Sequence, residues 1–101
     1  MFILELTYTV PLERVTNLLP DHMNWLEKHY AAGVFVASGR KVPRDGGVIL
    51  AVAADRSGVE EIIATDPFVL AQVCEYRLTE FVATTVAADL EHYRESFTEQ
   101  V

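Results

Sequence analysis

Apolar and polar positions alternate along the first ten residues of the chain. In the segment FILELTYTV, residues 2–10, the even-numbered positions are apolar and the odd-numbered ones are mixed. A period of two is typical of a β-strand that buries one face, and Pro11 predicts the end of that strand. The apolar positions are Phe2, Leu4, Leu6, Tyr8 and Val10.

Helical spacing replaces this alternation over residues 12–32. Pro20 lies inside the pattern, where a proline removes a hydrogen bond and clashes with the preceding turn. We therefore expect a short helix or turn over residues 12–18 and a main helix that starts near Pro20. Gly33 is predicted to end it. The apolar arc is formed by Leu12, Val15, Leu18, Leu19, Met23, Trp25, Leu26 and Tyr30.

Three further strands and a second helix are predicted in the rest of the chain. The strands are VFVASGRKV (34–42), VILAVAA (48–54) and QVCEYRLTEFVA (72–83), and PRDGG forms a turn after the first of them. The segment VILAVAA is apolar on both faces, which favours a central position in a sheet. In SGVEEIIATD, Ser57 is the expected N-cap and Glu60 its capping-box partner. The tail, about residues 84–101, is expected to be a frayed helix.

The resulting order β-α-β-β-α-β is that of the ferredoxin-like motif, an α+β fold. It predicts one domain over residues 1–101, with a core of about residues 1–83, and an antiparallel sheet with helices on one face. The other face is solvated or lines a polar cavity formed when a second copy stacks on it. Because the chain is short and half apolar, we expect a homodimer. The open face carries Glu5, Thr7, Glu75, Arg77 and Thr79.

Charge and cysteine content limit the classes of partner. The net charge of −7 argues against nucleic acid and against an anionic membrane surface, both of which require a basic face. The N-terminus lacks the basic region of a signal peptide, and no run is long enough to span a bilayer. Cys74 is the single cysteine, so an internal disulfide is excluded. We expect a cytoplasmic protein.

His22 lies on the apolar arc of the main helix, where histidine is neither a good core residue nor a good surface residue. It is either a buried neutral imidazole bonded to a backbone carbonyl or a functional group. His29 lies seven residues further on, about 10.5 Å along a helix axis, which is too far for two ligands of one metal ion. With no other cluster of histidine and cysteine, we predict no metal and no cofactor.

Asp66 precedes Pro67 and is the expected N-cap of the turn PFVL. A capping carboxylate keeps lone pairs free, and an imidazole can use one of them. Such a pair fixes the histidine tautomer and raises the basicity of the ring nitrogen that faces a substrate. The separation of 44 positions leaves the contact between His22 and Asp66 a hypothesis.

Ser38 and Gly39 lie at the end of the second predicted strand. A glycine there permits close approach of a ligand or marks a bulge. Ser38 has no neighbouring base and no G-x-S-x-G elbow, so it is not predicted to be a nucleophile. Cys74 precedes Glu75 in the fourth strand, and an acidic neighbour argues against a reactive thiolate.

Taken together, these segments resemble the YciI-like family of small dimeric α+β proteins. The resemblance is carried by FILELTYTV, by PDHMNWL followed by AAGVFVASG, by GGVILAVA, and by DPFVLAQVCEYRLTEF, which cover most of residues 1–82. Their combination is specific: a Pro-x-His, a Ser-Gly, a Gly-Gly before an apolar strand, and an Asp-Pro-aromatic.

The resemblance implies a ferredoxin-like fold that dimerises into an α+β barrel, with His22 and Asp66 in the active site and Ser38 and Gly39 beside it. One type of family member is a dehydrochlorinase that acts on a chlorinated hydroxyquinol. Two positions depart from the family pattern. Leu19 replaces an arginine three residues before the histidine, and Arg40 replaces a proline after the small-residue pair.

Two functions from different classes follow as expectations. In the first, an enzyme of the lyase or isomerase type uses His22 as general base or acid and Asp66 as its orienting group. Its substrate is small and either aromatic or carboxylated, Arg40 or Arg77 anchors an anion, and Phe68, which also suits the core, contacts it. In the second, the chain is a homodimeric ligand-binding or accessory module in which the His-Asp pair is structural.

Overall fold

The fold is built on a four-stranded antiparallel sheet in the order β2-β3-β1-β4. The structure is a computed structural model that describes residues 1–96. Its elements are β1 (Phe2–Tyr8), α1 (Leu12–Thr16), α2 (Leu19–Ala31), β2 (Phe35–Arg40), β3 (Gly46–Ala51), α3 (Arg56–Ile63), α4 (Pro67–Leu70), β4 (Cys74–Glu80) and a 3₁₀ helix (Ala88–Tyr93).

The strand order is the one that the ferredoxin-like motif requires, so the predicted α+β fold is confirmed. Strand β3 lies between β2 and β1, as its apolar character on both faces predicted. Leu4 of β1 lies opposite Ile49 of β3, and both pack in one buried cluster with Trp25 of α2 and Val59 of α3. The helices therefore cover a single face of the sheet.

The core on the helix-facing side of the sheet consists of two clusters of buried hydrophobic side chains. Phe2 and Leu4 belong to the larger cluster, together with residues of α2 and α3. Leu6 belongs to a smaller cluster with Val15 of α1 and Phe68 of α4. Burying one such side chain contributes about 1.5–3 kcal/mol, so both clusters are substantial. The smaller cluster lies next to the candidate site.

Helix boundaries follow the local sequence chemistry in most places. Proline at position 20 is the second residue of α2, where no intrahelical hydrogen bond is lost, and α1 is a separate short helix. Gly33 has a φ of +78° directly after the C-cap of α2, a conformation that favours glycine.

The predicted cap of α3 is wrong. Asp55, and not Ser57, is the N-cap: its Oδ1 accepts a hydrogen bond from the backbone N–H of Gly58 at 2.8 Å. Ser57 lies inside the helix, and its hydroxyl donates to the same carboxylate at 3.1 Å. Because the helix starts at Arg56, the third helical position is Gly58 rather than Glu60, and the expected capping box does not form.

The C-terminal tail is helical only over Ala88–Tyr93, as a 3₁₀ helix, and residues 97–101 of the expected helix lie outside the described residues. Glu95 explains where the helix ends. Its backbone N–H donates to the carbonyl of Ala83 at 2.9 Å, and its Oε1 accepts from the N–H of Ala83 at 2.8 Å. A helix that continued through Glu95 could not make this pair of bonds. Among the helices of residues 1–96, none has the length and apolar content needed to cross a membrane.

Strand β4 presents its faces as predicted. Cys74, Tyr76 and Leu78 lie opposite Tyr8, Leu6 and Leu4 of β1 on the helix-facing side. Burial, followed by the charges of Asp66 and Glu75, raises the pKa of the Cys74 thiol to about 12. The thiol is therefore protonated near neutral pH, which agrees with the expectation of an unreactive cysteine.

His29 is a buried histidine with an unsatisfied ring nitrogen. It is 8% exposed, and its Nε2 has no hydrogen-bond partner among the described residues. The rings of Trp25 and Phe35 lie 5.3 and 5.2 Å from it, centroid to centroid. Burial, with a smaller contribution from the charge of Lys28, lowers the pKa of His29. The folded protein therefore favours the neutral form of this ring.

We expect His29 to make the fold less stable in acid. Below about pH 6.5 the unfolded chain binds a proton at His29 that the folded chain resists. The free energy of unfolding therefore decreases as the pH is lowered. The loss begins near that value, continues down to the lowered folded pKa, and cannot exceed about 1.4 kcal/mol per pH unit.

Urea denaturation at pH 7.5 and pH 5.5 measures this loss. His29→Phe should show a smaller difference between the two pH values than the wild-type protein. His92→Phe, a change at an exposed histidine, should not differ from wild type. An equal loss in all three proteins would show that His29 carries no share of the acid sensitivity.

Candidate functional site

Helices α2 and α4 bring His22 and Asp66 into contact. His22 Nδ1 lies 2.8 Å from Asp66 Oδ1, and the two residues are 7% and 0% exposed. Asp66 is also the N-cap of α4, since Oδ1 accepts from the backbone N–H of Phe68 at 3.0 Å. Both the predicted cap and the hypothesised contact are therefore present.

A third donor completes the surroundings of the Asp66 carboxylate. The hydroxyl of Tyr76, on the helix-facing side of β4, donates to Oδ2 at 2.5 Å. Burial first, and then the charge of Asp66, raise the pKa of Tyr76, so its hydroxyl stays protonated and donates. A carboxylate that accepts from a backbone amide and a phenol is an acceptor for the imidazole as well.

It follows that His22 carries its proton on Nδ1, the nitrogen that donates to Asp66. In the neutral ring, Nε2 is then the unprotonated atom with a free lone pair. This tautomer is assigned from the hydrogen-bond network. His22 Nε2 makes no hydrogen bond to any other part of the described chain, so it is the atom available to a ligand.

Aromatic packing fixes the orientation of the His22 ring. The rings of His22 and Phe68 are stacked, with centroids 4.0 Å apart and planes 11° from parallel. The ring of Trp25 stacks at 5.5 Å, and its Nε1 donates to the hydroxyl of Thr65 at 2.9 Å. The imidazole is therefore held in place by its neighbours as well as by the carboxylate.

His22 lines a cavity of about 260 Å³ between the helices and the β2–β3 hairpin, which we term the His22 cavity. The volume lies just below the range of about 300–1,000 Å³ for small-molecule sites, and the walls are mainly apolar as in such sites. The apolar walls include Leu6, Tyr8, Leu19, Leu26, Ile49 and Phe68. The hairpin contributes Ser38, Gly39, Arg40, Arg44, Gly46 and Gly47.

Two glycines let neighbouring strands approach each other at this end of the sheet. A Cβ atom at Gly46 would lie 1.9 Å from the carbonyl oxygen of Leu6, and one at Gly47 would lie 3.0 Å from that of Gly39. A side chain at Gly46 would therefore push β3 away from β1. At Gly39 nothing lies within 4 Å of such an atom, and the irregularity of β2 lies between Phe35 and Ala37, so Gly39 is not a bulge.

The structure gathers most of the predicted site residues around the His22 cavity. Ser38 lines it, with its Oγ 2.7 Å from the Tyr30 hydroxyl, and Arg40 and Gly39 line it too. Phe68 is both a core residue, 1% exposed, and a wall of the cavity. Arg77 is not part of this group, because it pairs with Glu5 across the strands on the opposite face of the sheet.

Sequence reasoning missed Tyr76 and Arg44. The alternation of β4 had placed Tyr76 on the helix-facing side, and that signal could have nominated it as a partner of a buried acid. Arg44 lies in the turn, where no periodicity indicates direction. Concerning metals, no three histidine, cysteine, aspartate or glutamate residues within positions 1–96 converge into a set able to hold an ion.

Comparisons with known proteins agree with this architecture. No curated protein sequence matches the chain. Among solved structures, the chain is similar to 5-chloro-2-hydroxyhydroquinone dehydrochlorinase from Burkholderia phenoliruptrix, determined in complex with 2,5-dihydroxybenzoquinone. The TM-score is 0.68 at 17% sequence identity, covering 80% of this chain and 93% of that one. At this identity the likeness is one of fold.

The sequence pattern of the YCII-related domain matches residues 1–82. The match begins one residue before β1 and ends two residues after β4, so it includes the whole sheet and both sides of the His-Asp contact. Because it spans most of the 101 residues, the chain belongs to the YCII-related family.

Proposed function

We propose that this protein is a small-molecule enzyme in which His22 acts as general base and acid and Asp66 orients it. The observation that carries the proposal is the hydrogen bond between His22 Nδ1 and Asp66, at 2.8 Å, together with the position of His22 in the wall of a cavity. The free Nε2 is then directed to a bound molecule. Groups arranged in this way transfer protons to and from a substrate.

The proposed reaction is a proton abstraction followed by elimination or isomerisation. Nε2 takes a proton from a C–H or O–H bond of the substrate, and the electron pair of that bond moves into the substrate. In an elimination, a leaving group such as chloride departs with its bonding electrons. In an isomerisation, the imidazolium returns the proton to another atom. Asp66 stabilises the imidazolium between the two steps.

A small, planar substrate suits the His22 cavity. The ring of Phe68 forms part of its wall beside the imidazole, and the volume of about 260 Å³ admits a single substituted ring. The similar solved structure is a dehydrochlorinase with a quinone bound, which supports an aromatic substrate here by analogy of fold.

The test is turnover of 5-chloro-2-hydroxyhydroquinone and related halogenated hydroxyarenes, followed by chloride release and by absorbance of the product. Chloride release by the wild-type protein that is lost in His22→Asn supports the proposal. Equal release by both proteins refutes it.

The second candidate is a homodimeric ligand-binding or accessory module whose His-Asp pair is structural. The depth of the pair favours it, because Asp66 is 0% exposed and three hydrogen bonds hold it. The uncovered sheet face supports the dimer, since the half-buried residues Ile3, Val48 and Leu50 lie there beside charged ones.

Light scattering during size exclusion should then give about twice the chain mass of 11.3 kDa. A monomer at micromolar concentration would exclude a homodimer for both the enzyme and the ligand-binding module. A ligand that binds the His22→Asn variant as tightly as the wild type, with no turnover by either protein, selects the module over the enzyme.

A further inference from the structure

Three of the eight lysine and arginine residues of this acidic chain lie within one hairpin, at Arg40, Lys41 and Arg44. Lys41 is already paired: its Nζ lies 3.2 Å from Glu5 Oε2 and 3.0 Å from the hydroxyl of Thr7. Arg40 and Arg44 are different. Within residues 1–96, neither has a carboxylate oxygen within 4.0 Å.

Both arginines of the hairpin line the His22 cavity. Strand register shows why Arg40 does so, since Arg40 lies opposite Gly47 and Ser38 lies opposite Ile49, on the helix-facing side that also holds His22. Gly47, opposite Arg40, has no side chain to occupy the cavity that it lines. Arg44 reaches the same cavity from the turn that follows β2.

The charge inside the cavity opposes the charge of the whole chain. The net charge is −7, yet no aspartate or glutamate of the described chain is among the residues that line the His22 cavity. Two guanidinium groups at the edge of a concave site with apolar walls attract an anion into it.

We propose that the His22 cavity binds a small planar carboxylate, that Arg40 and Arg44 hold its carboxylate group at the hairpin end, and that its ring lies towards Phe68 and His22. This inference rests on the proposed function and names its substrate class. A guanidinium fork matches the two oxygens of a carboxylate, and such charge-assisted pairs give direction as well as affinity.

The size of the cavity fits this class of ligand. A volume of about 260 Å³ lies just below the usual range for small-molecule sites, which suits a ligand with a single substituted ring, such as benzoate. Arg40 and Arg44 are exposed and line the cavity, so both are accessible to a carboxylate bound there.

Benzoate and its uncharged isostere benzamide are the probes. Binding is measured by calorimetry and by the ring resonances of His22, at the millimolar ligand concentrations that weakly binding fragments require. We expect benzoate to bind at least tenfold more tightly than benzamide, and to bind less tightly as salt is added. Phenyl phosphate is a third probe, and tighter binding of it than of benzoate would overturn the assignment to carboxylates.

Three single substitutions locate the interaction, each removing one positive charge from the same hairpin. Arg40→Gln and Arg44→Gln should each weaken benzoate binding about tenfold, the loss of one charge-assisted contact. Lys41→Gln, at a residue already paired with Glu5, should stay within about twofold of wild type. Because Arg40 and Arg44 are exposed, their substitution leaves the fold intact, and circular dichroism checks this.

Failure of this inference is distinguishable from failure of the proposed function. Equal affinities for benzoate and benzamide, no benzoate binding, or benzoate binding unchanged in both arginine variants would overturn the carboxylate assignment, even if turnover depends on His22. Conversely, arginine-dependent benzoate binding with turnover that is insensitive to His22→Asn would support the carboxylate site and refute the catalytic role.

Discussion

Asp66→Ala should lower the free energy of unfolding by about 3–5 kcal/mol, the range for removing one partner of a buried charged pair. The carboxylate is fully buried and accepts hydrogen bonds from His22, from the backbone of Phe68 and from the Tyr76 hydroxyl. Alanine leaves all three donors without an acceptor in a site that water does not reach, and each buried unsatisfied donor is costly.

Asp55→Ala is the matched control, because Asp55 is also an N-cap but is exposed. Its loss should cost about 1 kcal/mol, as is usual for a surface cap. Asp66→Asn keeps the shape and the cap and should cost less than Asp66→Ala. Urea denaturation at pH 7 measures all three values. Equal losses for Asp55→Ala and Asp66→Ala would show that Asp66 is a cap and nothing more.

His22→Asn should reduce kcat/KM by about 10²- to 10⁴-fold, the contribution of a positioned general acid or base. The asparagine side chain can still donate to Asp66, which limits the damage to the fold, but it has no basic nitrogen at the position of Nε2. The readout is chloride release from a halogenated hydroxyarene, with circular dichroism to show that the variant is folded.

His29→Phe controls for the loss of a buried imidazole from the same helix. His29 is buried on α2, two turns from His22, and does not line the cavity. Its substitution should leave kcat/KM within about threefold of wild type, although it changes the acid stability. A His22→Asn variant whose kcat/KM also stays within about threefold of wild type would show that His22 does not transfer the proton.

Periodicity predicted the elements that place the site. The alternation of β1 and the apolar arc of α2 put His22 on the sheet-facing side, and the Asp-Pro pair put a carboxylate at the start of α4. These are local rules, which depend on neighbouring residues. The contact itself was only a hypothesis, because it depends on how α2 packs against α4 across 44 positions.

The errors also have physical causes. Asp55 and Ser57 are both good caps two residues apart, and only the start of the helix decides between them. Arg77 lies beside Glu5 on the open face, where the alternation of β4 predicts it, and its role as an anion anchor stays a prediction. The alternation of β4 predicts the correct face for Tyr76. Its position along the strand, beside Asp66, follows from the pairing of Tyr76 with Leu6, which the periodicity of the sequence does not predict.

The central claim is that Asp66 holds the proton of His22 on Nδ1 and leaves Nε2 free towards the cavity. The direct test is the ¹⁵N spectrum of the His22 ring, assigned by its absence in His22→Asn and recorded at a pH where the ring is neutral. The account predicts the tautomer with the proton on Nδ1, and a change at Nε2 when benzoate is added. A neutral ring that carries its proton on Nε2 would contradict the account, because the free nitrogen would then face Asp66 and not the ligand.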